Sequence, residues 1–197
     1  MFTGIIEALG VVKEVITDGT NKRFRVESPL SASFKIDQSI SHNGACLTVE
    51  EVSEKWHLVT AIDETLQKTT LRSWLPGTLV NLEQCLPMNG RLDGHFVQGH
   101  VDTKGTCTKL VEKEGSWEYT VSFPRNFAAL MIEKGSICLN GISLTAYNVG
   151  EDEFTVAIIP YTYEHTNLKQ LRVGDTVNLE FDMIGKYITR KLSLSQQ

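Results

Sequence analysis

The chain repeats itself. Sliding it by 97 residues lays positions 39–83 over 136–180 without a gap, and 18 of the 45 aligned positions are identical. Asn43-Gly44-Ala45-Cys46-Leu47-Thr48 falls on Asn140-Gly141-Ile142-Ser143-Leu144-Thr145, Thr65 on Thr162, and Thr69 and Leu71 on Thr166 and Leu168. At an offset of 95, Thr3-Gly4-Ile5-Ile6-Glu7 meets Gln98-Gly99-His100-Val101-Asp102, and Gly10 meets Gly105. A two-residue change of offset is a length difference that a hairpin loop absorbs. Units of about 95 residues are domain-sized, whereas solenoid repeats run to roughly 20–50. The sequence therefore predicts two copies of one domain joined near Leu92-Asp93-Gly94-His95: residues 1–96, residues 97–185 and a tail, 186–197.

Each copy reads as β. Val, Ile and Thr number 16, 13 and 19 against 8 Ala, a bias toward pleated, half-buried strands. Strands are expected over 4–15, 24–27, 39–42, 46–52, 58–61 and 79–84, and again over 99–111, 119–123, 136–139, 143–149, 155–159 and 176–181. Asn43-Gly44 and Asn140-Gly141 are hairpin dipeptides, because both residue types tolerate positive φ. Six short strands with tight turns predict a small closed or partly closed barrel, which leaves few edges exposed. Helices are expected over 64–74 and 124–134, the latter opened by Pro124. A weakly amphipathic tail helix is expected over 186–197.

Several function classes are disfavoured. The net charge of −5 and pI near 5.6, with scattered Lys and Arg, give no footprint for a nucleic-acid backbone. The longest apolar run, 127–132, falls far short of the ~20 residues that span a bilayer, so no membrane partner is expected. The first residues, Met1-Phe2-Thr3-Gly4-Ile5-Ile6-Glu7, lack a basic leader, so a cytoplasmic location with free thiols is expected for Cys46, Cys85, Cys107 and Cys138. Their spacing does not suggest a metal site.

The duplicated Asn-Gly-x-(Cys/Ser)-Leu-Thr segment is the leading candidate for chemistry. Strand geometry puts Cys46 and Thr48 on one face, and Ser143 and Thr145 on the equivalent one. Each copy thus offers a nucleophilic or hydrogen-bonding group beside a hydroxyl; the plainer alternative is half-buried strand residues with satisfied hydroxyls. Thr65 and Thr162 form a second duplicated element, read either as site hydroxyls or as first-turn helix caps. His95 and His100 at the junction could serve as acid or base near neutral pH. Ser41, His42 and Lys134 are single-residue candidates, and Glu83 and Glu180 read as surface strand residues.

Four segments in order resemble riboflavin synthases over essentially the whole chain: residues 1–7, Asn43 to Thr48, Gly94-His95-x-Val97-Gln98-Gly99-His100-Val101-Asp102, and Asn140 to Thr145. The resemblance implies two six-stranded Greek-key barrels, a C-terminal helix and a homotrimer, with association with lumazine synthase as a further partner. It implies conversion of two molecules of 6,7-dimethyl-8-ribityllumazine into riboflavin and 5-amino-6-(ribitylamino)uracil, with no cofactor and no metal. It also implies one lumazine per barrel. The first pocket would use Gly4, Ile5, Ile6, Cys46, Leu47, Thr48, Thr60, Ala61, Ile62, Asp63, Glu64 and Thr65. The second would use Gly99, His100, Val101, Lys134, Ser143, Leu144, Thr145, Ala157, Ile158, Ile159, Pro160, Tyr161 and Thr162. Phe2, Ser41, Cys46, His100, Asn140 and Ser143 stand at positions associated with turnover. Asn140 departs from the Asp found there in many members, which would leave any base to His100 or a water.

A lumazine-binding accessory protein of the luminescence type would share this duplication without catalysis. Such a protein would be expected to let one pocket drift, yet both copies here keep their Leu-Thr and Thr elements. A barrel for another ligand, such as a nucleic acid, would pair basic residues with exposed aromatics, against the acidic pI.

Overall fold

The computed structural model describes residues 1–195, and the last two tail residues lie outside them. In the first copy the strands are β1 (Ala8–Asp18), β2 (Asn21–Glu27), β3 (Ser39–His42), β4 (Ala45–Val52), β5 (Trp56–Ala61) and β6 (Leu79–Gln84). In the second they are β7 (Thr103–Lys113), β8 (Ser116–Ser122), β9 (Ser136–Leu139), β10 (Ile142–Tyr147), β11 (Glu153–Ile158) and β12 (Thr176–Phe181). The first six close an antiparallel barrel in the Greek-key order β1-β2-β5-β4-β3-β6, with β6 returning to β1. The second six close in the same order, β7-β8-β11-β10-β9-β12, with β12 returning to β7.

Alternation sorts each barrel's residues. Ile40, Leu47, Val49, Val59, Val80 and Leu82 fill the first interior; Ile137, Leu139, Phe154, Val156, Val177 and Leu179 fill the second. Burying side chains of this size contributes roughly 1.5–3 kcal/mol each. The opposite parity, Ser41 and Cys46 in one copy and Cys138 and Ser143 in the other, faces outward toward the seam between barrels. There Phe2, Val97 and Cys138 form a small apolar cluster with Cys46 and Cys85 packed against it.

The hairpin turns meet at that seam. Asn43, Gly44, Asn140 and Gly141 all hold positive φ, and a Cβ on Gly44 would stand 2.8 Å from the Gly141 nitrogen. Around the turns runs an amide network with approximate two-fold symmetry. Asn43 Oδ1 accepts the Asn81 N–H (2.7 Å) and Asn140 Oδ1 the Asn178 N–H (2.8 Å). Across the seam, Asn81 Nδ2 donates to the Asn140 carbonyl (2.9 Å) and Asn178 Nδ2 to the Asn43 carbonyl (2.8 Å). The repeated Asn and Gly residues thus join the two copies as well as turning the chain.

The helices differ from expectation. The stretch expected as one helix over 64–74 is α1 (Asp63–Lys68) followed by a 3₁₀ turn, Thr70–Ser73. Thr69 divides them: its backbone is extended, its hydroxyl donates to the Thr65 carbonyl, and its Oγ1 accepts the Leu71 N–H. The second copy has α2 (Pro160–His165) and repeats the device at Thr166. Residues 124–134 form only a 3₁₀ turn, Arg125–Leu130, where Phe127 stacks on Phe181. Lys134, at φ 63, instead donates its N–H to the Ala146 carbonyl. The tail helix, α3, begins earlier than expected, at Met183, and runs to Ser195. β1 and β7 start four residues later than expected, because the segments before them leave their own barrels. Among the described residues, no helix is long and apolar enough to cross a membrane.

Candidate active site

Those two departing segments build the site. The Gly99 carbonyl accepts the Cys46 N–H (2.8 Å), and the Gly4 carbonyl accepts the Ser143 N–H (2.8 Å). Each segment therefore adds its glycine beside the strand of the other copy that carries Cys46 or Ser143. Glycine is required at both positions: φ is near +80°, and an added Cβ would meet the partner's Cβ at 2.6 Å. Val101 packs on the first core and Ile6 on the second. This corrects the expected grouping, which put Gly4, Ile5 and Ile6 with Cys46, and Gly99, His100 and Val101 with Ser143. Sequence spacing pairs each segment with the strand that follows it and carries no sign of the exchange.

A cleft of about 320 Å³ opens where the exchanged segment meets the first barrel, lined by Ala45, Cys46, Glu64, Thr65, Lys68, Thr69, Gly99, His100 and Val101. Six of these nine were candidates from sequence. Ala45, Lys68 and Thr69 were not, although the repetition of Thr69 as Thr166 was a usable signal. Leu47, Ala61 and Ile158 point into the barrel cores, and Leu144 packs against the second, so only their backbones can face a ligand. Thr48, Ile62, Thr145, Ala157, Ile159, Pro160 and Tyr161 are exposed; Thr60 and Thr162 are half-buried. Asp63 accepts from Gln67, and the Lys134 ammonium lies 4.9 Å from the centroid of the Tyr147 ring.

Cys46 and Ser143 stand at the site as neutral hydrogen-bonders. Burial pushes the Cys46 thiol above its ordinary pKa, opposed in part by a hydrogen bond from Ser39, so the thiol stays protonated at neutral pH. Ser41 is buried between Cys46 and Glu83 in strand register. Ser143 is engaged differently from its counterpart: its Oγ lies 2.7 Å from His95 Nδ1, and burial lowers the His95 pKa, keeping the imidazole neutral. Phe2 is wholly buried at the seam, and Asn140 has its Oδ1 committed to Asn178. His100 is exposed at the cleft. Among the described residues, no group of His, Cys, Asp and Glu is arranged to hold a metal ion.

Glu83 and Glu180 are not surface residues. They are 3% and 2% exposed, and burial raises both pKa values against the lowering effect of their hydrogen bonds. Both face outward from their own barrels, and the seam covers that face.

The comparisons with known proteins agree with this architecture. The lumazine binding domain model matches residues 3–85 and again 98–182. The chain is 36% identical to the riboflavin synthase of Bacillus subtilis (strain 168), covering 98% of this chain and 90% of that one. It is 39% identical to the riboflavin synthase of Mycobacterium tuberculosis (strain ATCC 25618 / H37Rv), covering 96% and 97%. Among solved structures, that of LumP complexed with riboflavin superposes with a TM-score of 0.86 at 26% identity, covering 92% of this chain and 99% of that one. Two matched domains and full-length relatives place the chain in the lumazine binding domain family, as an enzyme of its riboflavin synthase branch.

Proposed function

We propose that this chain converts two molecules of 6,7-dimethyl-8-ribityllumazine into riboflavin and 5-amino-6-(ribitylamino)uracil, moving a four-carbon unit from one to the other without a cofactor. The observation that carries the reading is the matched pair of half-sites, Gly99 on Cys46 and Gly4 on Ser143. A reaction between two identical molecules is served by two equivalent sites, and holding both reactants in one orientation can supply ~7–11 kcal/mol of the barrier. The lumazine's acidic C7 methyl requires one ring to be carbanion donor and the other acceptor. The differences between half-sites, a cleft-lining thiol in one and a His95-bound hydroxyl in the other, are a source of that asymmetry.

On this reading the residues expected from sequence bind and position lumazine from their observed places. Backbone groups at the strand ends meet the ring edge, and the Thr hydroxyls meet the ribityl chain. The working units are 1–96 and 97–185, in a cytoplasmic homotrimer. Ile184, Tyr187, Ile188 and Leu192 are exposed on α3, an apolar surface for the subunit contact.

Mixing the protein with 6,7-dimethyl-8-ribityllumazine alone should yield one riboflavin per two lumazines consumed. Tight binding without product would instead mark an accessory protein, and neither would dismiss the ligand. Cys46→Ser should stay within about 1 kcal/mol of the parent in stability, and Ser143→Ala, which leaves His95 Nδ1 unpaired, within about 1–3 kcal/mol, while turnover falls at least about tenfold in each. Unchanged kcat in both variants would remove the pair from the reacting groups.

A further inference from the structure

We propose that Glu180, a residue of the second barrel, is a positioning residue for the first barrel's cleft, and that Glu83 of the first barrel acts in the same crossed sense on the Ser143 side. The Glu180 carboxylate accepts three backbone N–H groups in a row, those of Gln98 (2.6 Å), Gly99 (2.9 Å) and His100 (2.8 Å). That grip orients the Gly99 peptide so that its carbonyl meets the Cys46 N–H at 2.8 Å, and it delivers His100 and Val101 to the cleft wall. Glu83 accepts the Thr3 N–H (2.6 Å), the Thr3 hydroxyl (2.7 Å) and the Gly4 N–H (3.0 Å). Gly4 then meets the Ser143 N–H.

A carboxylate suits this task because it only accepts, from several donors at once, and charge strengthens each bond. Glutamine, its isostere, turns an NH₂ against one or more of those donors. Neither carboxylate stands among the residues lining the cleft, so Glu180 acts on that site through the segment that it holds. Each half-site is thereby completed by an anchor in the other barrel, and a ligand pressing on residues 99–101 loads the second barrel directly. The inference takes the cleft as the ligand site of the proposed reaction, but the crossed anchoring can be measured without any ligand.

The test is amide hydrogen exchange by NMR on the full chain and on Glu180→Gln and Glu83→Gln, with a riboflavin titration of each. Glu180→Gln should speed exchange at the Cys46 amide about fivefold, the factor carried by one hydrogen bond of ordinary net strength, and leave Ser143 unchanged. Glu83→Gln should do the reverse. Equal acceleration at both amides, as a merely structural role would give, or acceleration on the uncrossed side, overturns the proposal. Should a variant fail to fold, the parent protein decides: Gln98, Gly99, His100 and Cys46 should share one opening free energy, separate from that of Thr3, Gly4 and Ser143. Unrelated values within each group would overturn it. A parent that binds no riboflavin yet shows the crossed pattern retains the anchoring and loses the functional reading.

Discussion

Removal of residues 1–4 is expected to destabilise the protein by at least about 4 kcal/mol as well as to abolish turnover. Phe2 is wholly buried, and its backbone exchanges hydrogen bonds with Val97 at 2.7 and 3.1 Å. Loss of a buried Phe side chain alone costs about 3–5 kcal/mol. Thr3 and Gly4 supply three donors to Glu83, and stripping partners from a buried charge costs a similar amount. The two losses share one site and will not add fully. A segment that merely bordered a pocket would cost activity and leave stability unchanged. Denaturant melts and the riboflavin assay on the truncated chain check both effects. A melt unchanged within 1 kcal/mol would contradict the buried anchor.

The second large effect is acid sensitivity built into the first barrel. His42 and His57 are wholly buried and face each other, Nε2 to Nε2, at 2.8 Å. The Ile40 carbonyl requires a proton on His42 Nδ1, so His57 Nε2–H donates to His42 Nε2 and His57 Nδ1 accepts from the Ser31 hydroxyl. The chain of hydrogen bonds is complete with both rings neutral, and protonating both would set two N–H groups against each other across the 2.8 Å gap. Burial lowers the His42 pKa to about 4 and, with the neighbouring ring, lowers that of His57 further.

With folded pKa values below the unfolded value near 6.5, the unfolded chain binds more protons once the pH falls below that value. Stability is thus lost with falling pH, at about 1.4 kcal/mol per unit for each ring. Roughly 4 kcal/mol should be lost between pH 6.5 and 4.5 through the pair. The second copy has Leu139 and Phe154 at the equivalent positions, both in its core. The double variant His42→Leu, His57→Phe should therefore flatten the profile. Glu83 and Glu180 act oppositely, since their raised folded pKa values make acid relieve a penalty, but they are common to parent and variant. The difference between the two melting curves against pH isolates the histidines, and parallel curves would refute their role.

Much of the architecture was legible because strand alternation and turn chemistry are local. Ser39–His42, Leu79–Gln84, Ser136–Leu139 and Thr176–Phe181 lie where period-two patterning places them. The Asn-Gly turns follow from φ freedom at those residues. Helix lengths were less legible: Thr69 and Thr166 divide their helices through side-chain hydrogen bonds that no propensity reports. The His42–His57 pair was invisible for another reason. It joins strands β3 and β5, which are not neighbours in the ring, and only the closed barrel brings their inward side chains together.

Duplication, the β class, the hairpin turns and the duplicated Cys46 and Ser143 segments all follow from the order of residues, because each rests on periodicity or on short-range geometry. Which segment serves which barrel does not. The exchange of Gly4 and Gly99 between the copies, and the burial of Glu83 and Glu180 that anchors it, depend on two barrels closing face to face. Only then does an outward-facing carboxylate lose its water and take three donors from a segment about 80 residues away in sequence.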